Sequence, residues 1–454
     1  MQPYRYHVFA CDQQKPEGIP CCSARGSRQV LDALRAEVAA QGLGDQVQVT
    51  ACGSLGLCER GPNLVVYPEG VWYSGVTPAD VPEIVRSHFG GGVPVARLLN
   101  RDAAAARAEI AANKQKMQGA LRAREAAGAL PDELAQAIRG FQESRAILTA
   151  IELDAFTAVG GGASAPAAAQ AMGTDSRATE MLLNAVAALG LLAKRDGVFH
   201  NTPLSARYFA AGSPDDARAA TMHTANLWRR WSTLTECVRA GTAVARREPR
   251  APDDQWTEPF IAAMHRNARE RAPHVVRAVG TAGVGRMLDV GGGSAAYSIA
   301  FAQAGDGLCA EVLDRPEVLA IARRHVEAAG LAGLVTLRAG DLRVDDLGSG
   351  FDLVLVSAIC HMLGPEENLD LLRRCRQALV PGGRVVVQDF ILEADKTAPR
   401  MAALFSLNML VGTERGASYS ENEYAGWLAA AGFQDVTHVR LPGPSGLMVA
   451  RRAG

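Results

Sequence analysis

The sequence predicts a multidomain α/β protein in which three kinds of segment follow one another. From residue 286 onward, short apolar runs alternate with amphipathic stretches, which is typical of a doubly wound sheet covered by helices. Between residues 140 and 250, two helices precede a strand–turn–strand, and the first 100 residues alternate strands with helices around a cluster of cysteines. A chain of 454 residues is long enough for several separate cores, in agreement with this division.

The first 100 residues contain four short apolar runs that predict strands. The stretch 30–38 has apolar residues at helical spacing and predicts a helix. Pro68–Gly70, between the last two runs, predicts a hairpin. Thr77 followed by Pro78 has the pattern of an N-cap and opens a helix that continues to His88. The expected strands are 6–10, 47–51, 64–67 and 71–73.

Residues 101–139 are rich in alanine and in charges of both signs, which favours a helical linker over a packed core. Beyond it, Ser164–Pro166 opens a helix, residues 174–188 form a second, and Asp196-Gly197 makes a tight turn between two strands. This order is a winged-helix pattern, used either for DNA binding or for dimerisation. Because residues 141–240 carry no basic excess, we expect dimerisation and no nucleic-acid partner.

The last part of the chain predicts a Rossmann-like sheet with helices between its strands. The expected strands are 286–290, 308–313, 335–338, 352–356 and 384–388. The chain is thus divided into an N-terminal α/β domain (1–100), a helical linker (101–139), a winged-helix domain (140–280) and a Rossmann-like domain (281–454).

The composition argues against several classes of partner. Apolar residues make up 48% of the chain and charged residues 21%, which is typical of globular proteins in water. The net charge of -1 provides no positive field for nucleic acid or an anionic membrane. No apolar run reaches the roughly 18 residues of a transmembrane helix, and the N-terminus lacks a signal-peptide pattern. We therefore expect a cytoplasmic protein without a membrane partner.

The first strand of the C-terminal sheet leads into a glycine-rich stretch, Asp289–Ser294, where the backbone can turn sharply and approach a ligand closely. Asp314 can accept hydrogen bonds from ribose hydroxyls and Asp341 from an adenine amine. A nicotinamide dinucleotide and S-adenosylmethionine both fit this loop, but Asp289, Asp341 and the turn Pro381–Gly383 favour S-adenosylmethionine. The expected cofactor-binding residues are Asp289, Gly291, Gly293, Asp314, Asp341, Leu342 and Ser357.

Four blocks of this domain resemble the caffeic-acid and acetylserotonin-type O-methyltransferases. The blocks are 289–294, 313–318, 339–342 and 380–384, and 189–192 and 201–205 extend the likeness to about residues 140–454. The resemblance implies a seven-stranded class I methyltransferase domain, S-adenosylmethionine as cofactor and a small aromatic or heteroaromatic methyl acceptor. It also implies a homodimer, because the helical part of that family dimerises and helps to wall the substrate pocket.

Methyl transfer from a sulfonium needs a nucleophile in line with the methyl group and, for a phenol, a base. The resemblance places the base at His361, with Asp389 and Glu414 as acidic partners. Here Met362-Leu363 replaces the Asp and Trp common in the family, so we expect a more apolar pocket edge. The expected substrate contacts are Asn408, Trp228 and Trp231, although tryptophans at helical spacing also suit a core.

Five of the nine cysteines lie within the first 58 residues, and such clustering in a cytosolic protein indicates a metal or redox site. Residues 5–100 resemble thioredoxin-like 2Fe–2S ferredoxins, notably in the stretch 62–73. The resemblance implies a 2Fe–2S cluster and a redox partner protein. The implied iron ligands are Cys11, Cys22, Cys52 and Cys58.

Ser54 stands where these ferredoxins have their third cysteine, and Cys52 lies two residues earlier. Cys52 then serves as ligand only after a shift of the loop. The Ser54 oxygen is a harder and less suitable ligand, and Cys21 is a spare one. A zinc site and a domain that has lost its cluster and serves for docking are further alternatives.

Three functions fit these features. The first is methyl transfer to a small aromatic metabolite, with the ferredoxin domain supplying electrons or recruiting a redox partner. The second is an electron-transfer protein whose methyltransferase-like domain binds S-adenosylmethionine or another ligand without methyl transfer. The third is another reaction that keeps S-adenosylmethionine as a structural cofactor. His361 favours the first.

Overall fold

The computed structural model describes residues 3–15, 19–244 and 257–454, with the side chains of 124, 125, 257–260, 262 and 263 left aside. Residues 245–256, part of the expected winged-helix domain, lie outside this description. The chain divides into two compact units, Met1–Phe141 and Gln142–Gly454. In the described ranges, no helix combines the length and the apolar character needed to cross a membrane.

The described part of the first unit contains a four-stranded sheet in the order β2-β1-β3-β4. β1 pairs parallel with β2 and antiparallel with β3, and β3 and β4 form the expected hairpin. The expected order of strands and helices is therefore confirmed. The elements are β1 (Tyr6–Cys11), α1 (Ser27–Ala40), β2 (Val47–Cys52), β3 (Asn63–Tyr67), β4 (Val71–Ser74), α2 (Val81–Ile84), α3 (Ala103–Ala126) and α4 (Asp132–Glu152), the last of which crosses the unit boundary.

The helix expected to open at Thr77 is irregular. Thr77 and Asp80 form the expected cap, because the amide and hydroxyl of Thr77 both donate to Asp80 Oδ2 at 2.7 Å. A 3₁₀ turn, the short α2 and a wider π turn over Val85–Gly90 then follow one another. Pro78 and Pro82 lack amide donors, which removes hydrogen bonds from the first turns.

The helix α3, in the expected linker, packs against a loop of the first unit. Ile110 lies against Gly56, where an added Cβ would come within 2.8 Å of its side chain. The buried Asn113 donates to the Gly56 carbonyl at 2.7 Å, and Arg60 pairs with Glu109 at 2.7 Å. Helix α3 therefore belongs to the first unit and covers the loop that precedes β3.

The first half of the second unit contains the expected helix–helix–hairpin pattern. Ser164 and Asp175 cap their helices, and Asp196 and Gly197 both have positive φ in the hairpin turn. The wing strands pair in the order β5-β7-β6. The elements are α5 (Ala155–Val159), β5 (Ala163–Ser164), α6 (Ala165–Met172), α7 (Ser176–Ala188), β6 (Leu192–Arg195), β7 (Val198–Asn201), α8 (Pro203–Phe209), α9 (Arg218–Trp231), α10 (Leu234–Ala240) and α11 (Thr257–Val279).

The described C-terminal residues form a seven-stranded sheet in the order β10-β9-β8-β11-β12-β14-β13. The five strands from β10 to β12 run parallel, and β14 pairs antiparallel with β12 and β13. The elements are β8 (Arg286–Val290), α12 (Ala296–Ala304), β9 (Cys309–Asp314), α13 (Pro316–Ala328), β10 (Val335–Ala339), β11 (Phe351–Ser357), α14 (Pro365–Ala378), β12 (Leu379–Asp389), α15 (Arg400–Gly412), α16 (Glu421–Ala430), β13 (Phe433–Arg440) and β14 (Gly446–Arg452).

The expected parallel strands are confirmed to within one or two residues, except that β12 begins earlier. It starts at Leu379 and contains Pro381–Gly383, which the sequence had suggested as a turn before the strand. Helices cover both faces of the sheet, so its central strands are almost wholly apolar. Strand order reverses between β8 and β11, which opens a crevice at the carboxyl ends of these strands.

Candidate functional site

The glycine-rich loop after β8 lines this crevice. Gly291 and Gly293 have φ of +68° and +58°, a region that L-residues rarely adopt. A Cβ on Gly291 would lie 2.5 Å from the Ile359 side chain, and one on Gly292 would lie 2.7 Å from the Asp289 carboxylate. The loop therefore requires small residues for its shape.

Asp289 is completely buried at the base of the loop. Its Oδ2 accepts from Ser298 Oγ at 2.7 Å, whereas Oδ1 has no hydrogen-bond partner among the described residues. Burial, aided by the charge of Asp314, raises the pKa of Asp289 to about 7. A buried carboxylate oxygen without a donor fits a cationic ligand group such as the ammonium of a bound amino acid.

Asp314 ends β9 at the expected position beside the loop. Its Oδ2 accepts from the Gly293 amide at 2.8 Å and its Oδ1 from the Arg315 amide at 2.7 Å. Burial raises its pKa. Both oxygens retain a second lone pair, so the carboxylate remains able to accept ribose hydroxyls.

The remaining cofactor candidates line the rim of the crevice. Asp341 is exposed and its Oδ1 accepts from the Arg343 amide at 2.9 Å, while Leu342 packs against the sheet core. Ser357 ends β11 and donates to Gln388 Oε1 at 2.6 Å. The structure thus gathers the predicted residues of β8, β9, β10 and β11 at one edge of the sheet.

His361 lies in a short 3₁₀ turn after β11 and is 7% exposed. Its Nδ1 is 2.7 Å from Asp389 Oδ1, and its amide donates to Asp389 Oδ2 at 3.1 Å. Because a carboxylate only accepts, Nδ1 carries a proton and Nε2 is left to accept another. Tyr424 Oη also donates to Asp389 Oδ2, at 3.2 Å, which fixes the carboxylate.

Glu414, the second acidic candidate, is not brought to His361. Its side chain is exposed, and only its peptide carbonyl takes part in a hydrogen bond among the described residues, accepting from Thr242 Oγ1 at 3.0 Å. The loop reaches His361 with its backbone instead, at Gly416, which has no space for a side chain. Asp389 is therefore the carboxylate that orients the imidazole.

Two phenylalanines that the sequence analysis missed stand beside His361. Phe405 meets the imidazole edge-to-face at 4.8 Å, and the Phe390 ring lies 4.1 Å from that of Phe405 with the two planes tilted by 30°. Both are half-buried, and we call Phe390 and Phe405 together the aromatic wall.

Of the predicted substrate residues, Trp231 donates from Nε1 to Asn408 Oδ1 at 2.9 Å, so this hydrogen bond joins α9 to α15. Trp228 lies under the Arg145 guanidinium, at 5.8 Å.

The predicted iron ligands of the first unit fall into separate contacts. A hydrogen bond between the buried Cys11 and Cys22 thiols lowers the pKa of Cys11 to about 6 and raises that of Cys22. Asn63 Nδ2 donates to Cys22 Sγ at 3.5 Å. Cys52 lies opposite Cys11 in the β1–β2 register, and burial raises its pKa to about 11.

Cys58 has different neighbours. Lys15 Nζ donates to its Sγ at 2.9 Å, and Ser54 Oγ lies 3.4 Å from the same sulfur. Among the described residues, no group of three or more histidines, cysteines and carboxylates is arranged to hold a metal ion. Ser54 thus presents its hydroxyl to Cys58, at the position where the resemblance to ferredoxins implies the third cysteine.

Comparison with known proteins identifies similarities over the second unit. The sequence profile of the O-methyltransferase domain matches residues 239–434, and that of the O-methyltransferase dimerisation domain matches residues 135–211. The 3-hydroxy-5-methyl-1-naphthoate 3-O-methyltransferase of Streptomyces sahachiroi is 36% identical over 334 residues, which cover 71% of this chain and 96% of that protein. The acetylserotonin O-methyltransferase of Mus musculus is 30% identical over 341 residues, 69% of this chain and 87% of that protein.

A solved structure supports the same likeness. Human N-acetylserotonin methyltransferase, crystallised in complex with S-adenosylmethionine, superposes with a TM-score of 0.62 at 25% identity and covers 71% of this chain and 97% of its own.

Proposed function

The chain belongs to the family of S-adenosylmethionine-dependent O-methyltransferases, and from that premise we propose that it methylates the phenolic hydroxyl of a small aromatic metabolite, with His361 as the general base. The observation that carries the proposal is the pairing of His361 Nδ1 with Asp389 beside the aromatic wall. The enzyme class expected from the sequence is confirmed. The naphthoate substrate in the name of the Streptomyces relative is a hydroxylated aromatic acid and supports an aromatic acceptor here.

S-adenosylmethionine fits the residues of the crevice. The ammonium of its methionine part suits the unpartnered Oδ1 of Asp289, its ribose suits Asp314, and its adenine suits Asp341 at the rim. We propose that Gly291, Gly293, Leu342 and Ser357 complete this site. When bound, the cofactor supplies an electrophilic methyl group.

The residues of the chain supply the acid–base and positioning part of the reaction. The aromatic wall holds the acceptor ring, and a phenolic hydroxyl beside His361 gives its proton to Nε2 as the oxygen is methylated. Asp389 keeps the imidazole in the required tautomer and stabilises the imidazolium that forms. General-base catalysis of this kind contributes roughly 100- to 10,000-fold to the rate.

The test is to compare wild type with His361→Ala by measuring S-adenosylhomocysteine formation and S-adenosylhomocysteine binding. We expect turnover to fall by roughly 100-fold or more, with the dissociation constant nearly unchanged. His438→Ala removes an imidazole that pairs with Glu421 rather than with Asp389, and serves as control. Unchanged turnover of His361→Ala would reject the base role.

The match to the dimerisation domain supports a homodimer. We propose that the helical part, from α4 to α8, provides its interface. Sedimentation of the purified chain tests this proposal, and a monomer at micromolar concentration would contradict it.

For the first unit we propose the thioredoxin-like fold of the 2Fe–2S ferredoxins, which the sheet order β2-β1-β3-β4 supports. The residues present do not fit a four-thiolate 2Fe–2S cluster. Cys11 and Cys22 contact each other, Cys58 is engaged by Lys15, and the neighbour of Cys58 is the hydroxyl of Ser54. We therefore propose no step of the reaction through a cluster. The redox partner protein stays a prediction.

A further inference from the structure

Arg271, on α11, contacts the aromatic wall through Phe390. Its guanidinium carbon lies 5.6 Å from the centre of the Phe390 ring. The His361 imidazole lies 6.4 Å from the centre of the same ring and 4.8 Å from that of Phe405. A cation and the proposed base therefore border one aromatic surface.

Arg271 has a polar neighbour, but within the described ranges it has no ion-pair partner. Burial raises the pKa of Tyr297, and the charge and hydrogen bond of Arg271 act in the opposite direction, so the guanidinium lies beside the phenol oxygen. Tyr297 Oη donates its proton to Gln388 Oε1 at 3.2 Å, and Ser357 Oγ donates to the same glutamine oxygen. The lone pairs of the tyrosine oxygen are therefore left to accept from Arg271. No described acidic side chain forms an ion pair with Arg271.

Among the described residues this half-buried guanidinium has no carboxylate partner, and partial desolvation of its charge favours the binding of an anion. The planar fork of arginine matches a carboxylate with two parallel hydrogen bonds. The cation–π contact with Phe390 holds the side chain in place, and the N–H donors that Tyr297 does not engage suit such an anion.

We propose that Arg271 binds a carboxylate of the methyl acceptor, so that the acceptor is a hydroxylated aromatic acid. This inference rests on the function proposed above and narrows its substrate class. The acid group pairs with Arg271, the ring lies on the aromatic wall, and the hydroxyl faces His361. The methionine carboxylate of the cofactor has the same chemistry, and the test separates the two sources.

The test compares 3-hydroxy-1-naphthoic acid with 2-naphthol, which is the same ring and hydroxyl without the carboxylate. For Arg271→Gln we expect kcat/KM for the acid to fall roughly 10- to 100-fold, mainly through KM, because a charge-assisted pair is lost. The value for 2-naphthol should change less than about threefold by the same reasoning. Arg271→Lys keeps the charge without the planar fork, so its kcat/KM for the acid should lie between those of wild type and Arg271→Gln. Arg277→Gln, an exposed position of the same helix, is the control.

Two binding measurements complete the design. The acid is titrated into the enzyme–S-adenosylhomocysteine complex, which reports on Arg271 without turnover. The affinity for S-adenosylhomocysteine is measured for each variant. A loss confined to the acid supports the proposal. An equal loss for acid and naphthol, weaker S-adenosylhomocysteine binding by Arg271→Gln, or no binding of the acid to wild type overturns it. Methylation of 2-naphthol by wild type tests the proposed function independently.

Discussion

Replacing Asp289 by asparagine should stabilise the ligand-free protein at pH 8, although the residue lies at the proposed cofactor site. Burial raises the pKa of this carboxyl to about 7, with Asp314 contributing. In an unfolded chain an aspartate titrates near a pKa of about 3.9. The folded state thus holds the proton more tightly by about three pKa units, which corresponds to about 4 kcal/mol.

This penalty has a defined pH window. Below pH of about 4, the carboxyl is protonated in both states and the penalty is absent. Between about pH 4 and 7 only the unfolded chain releases the proton, so the free energy of unfolding falls by up to about 1.4 kcal/mol per pH unit. Above pH 7 both states are ionised and the penalty keeps its full value. Asparagine does not ionise, so the stability difference between variant and wild type should grow up to about pH 7 and then level off.

The assay is urea unfolding at several pH values, followed through amide exchange of β8 and β11, which lie in the core of the second unit. The unpaired amide of Asp289→Asn lowers the free energy of unfolding by about 1–3 kcal/mol at every pH. The change with pH of the stability difference between variant and wild type therefore tests the ionisation of Asp289. Asp306→Asn, an exposed position in the same domain, is the control. A difference that does not vary with pH would refute the reasoning. The affinity for S-adenosylhomocysteine should fall roughly 10-fold or more, because its ammonium loses an anionic partner.

Two further predictions concern the base and the cysteines. Asp389→Asn should lower kcat by roughly 100-fold or more and leave S-adenosylhomocysteine binding nearly unchanged, since the imidazolium that forms loses its anion. Equal losses in kcat and binding would instead indicate a structural role. Anaerobic reconstitution of wild type should give fewer than two irons per chain. Ser54→Cys adds a thiolate beside Cys58 and should raise iron and sulfide binding above that of the control Ser54→Ala. A full cluster in wild type would show that the present donor set is sufficient.

The features that the sequence predicts well are local. The strand ends of the C-terminal sheet place Asp289, Asp314 and Asp389 at one edge, because parallel strands carry their carboxyl ends to the same side. The glycine pattern of the loop specifies its backbone shape without knowledge of the remaining fold. Asp289 and Asp314 could therefore be named from motif and strand order, whereas Asp389 is implied by the resemblance to the O-methyltransferases.

The residues that the sequence leaves unnamed come together through tertiary packing. Arg271 reads as one of several charged positions on an amphipathic helix, and nothing in its neighbourhood indicates that it reaches Phe390, 119 positions away along the chain. Phe405 carries a weak signal, since it precedes Asn408 by three residues on one face of α15. Glu414 shows the opposite error, because its place in the chain is near the site whereas its side chain points to solvent.

The first unit shows where a motif differs from a site. Its spacing places Cys11, Cys22 and Cys58 in one region, yet a cluster requires four donors aimed at one point. Instead, Lys15 donates a hydrogen bond to the Cys58 sulfur, and the Ser54 hydroxyl lies beside the same sulfur. Helix α3 closes over the same loop through Asn113 and Ile110. This packing fills the loop with protein contacts, so the cysteine spacing alone does not make a site for a cluster.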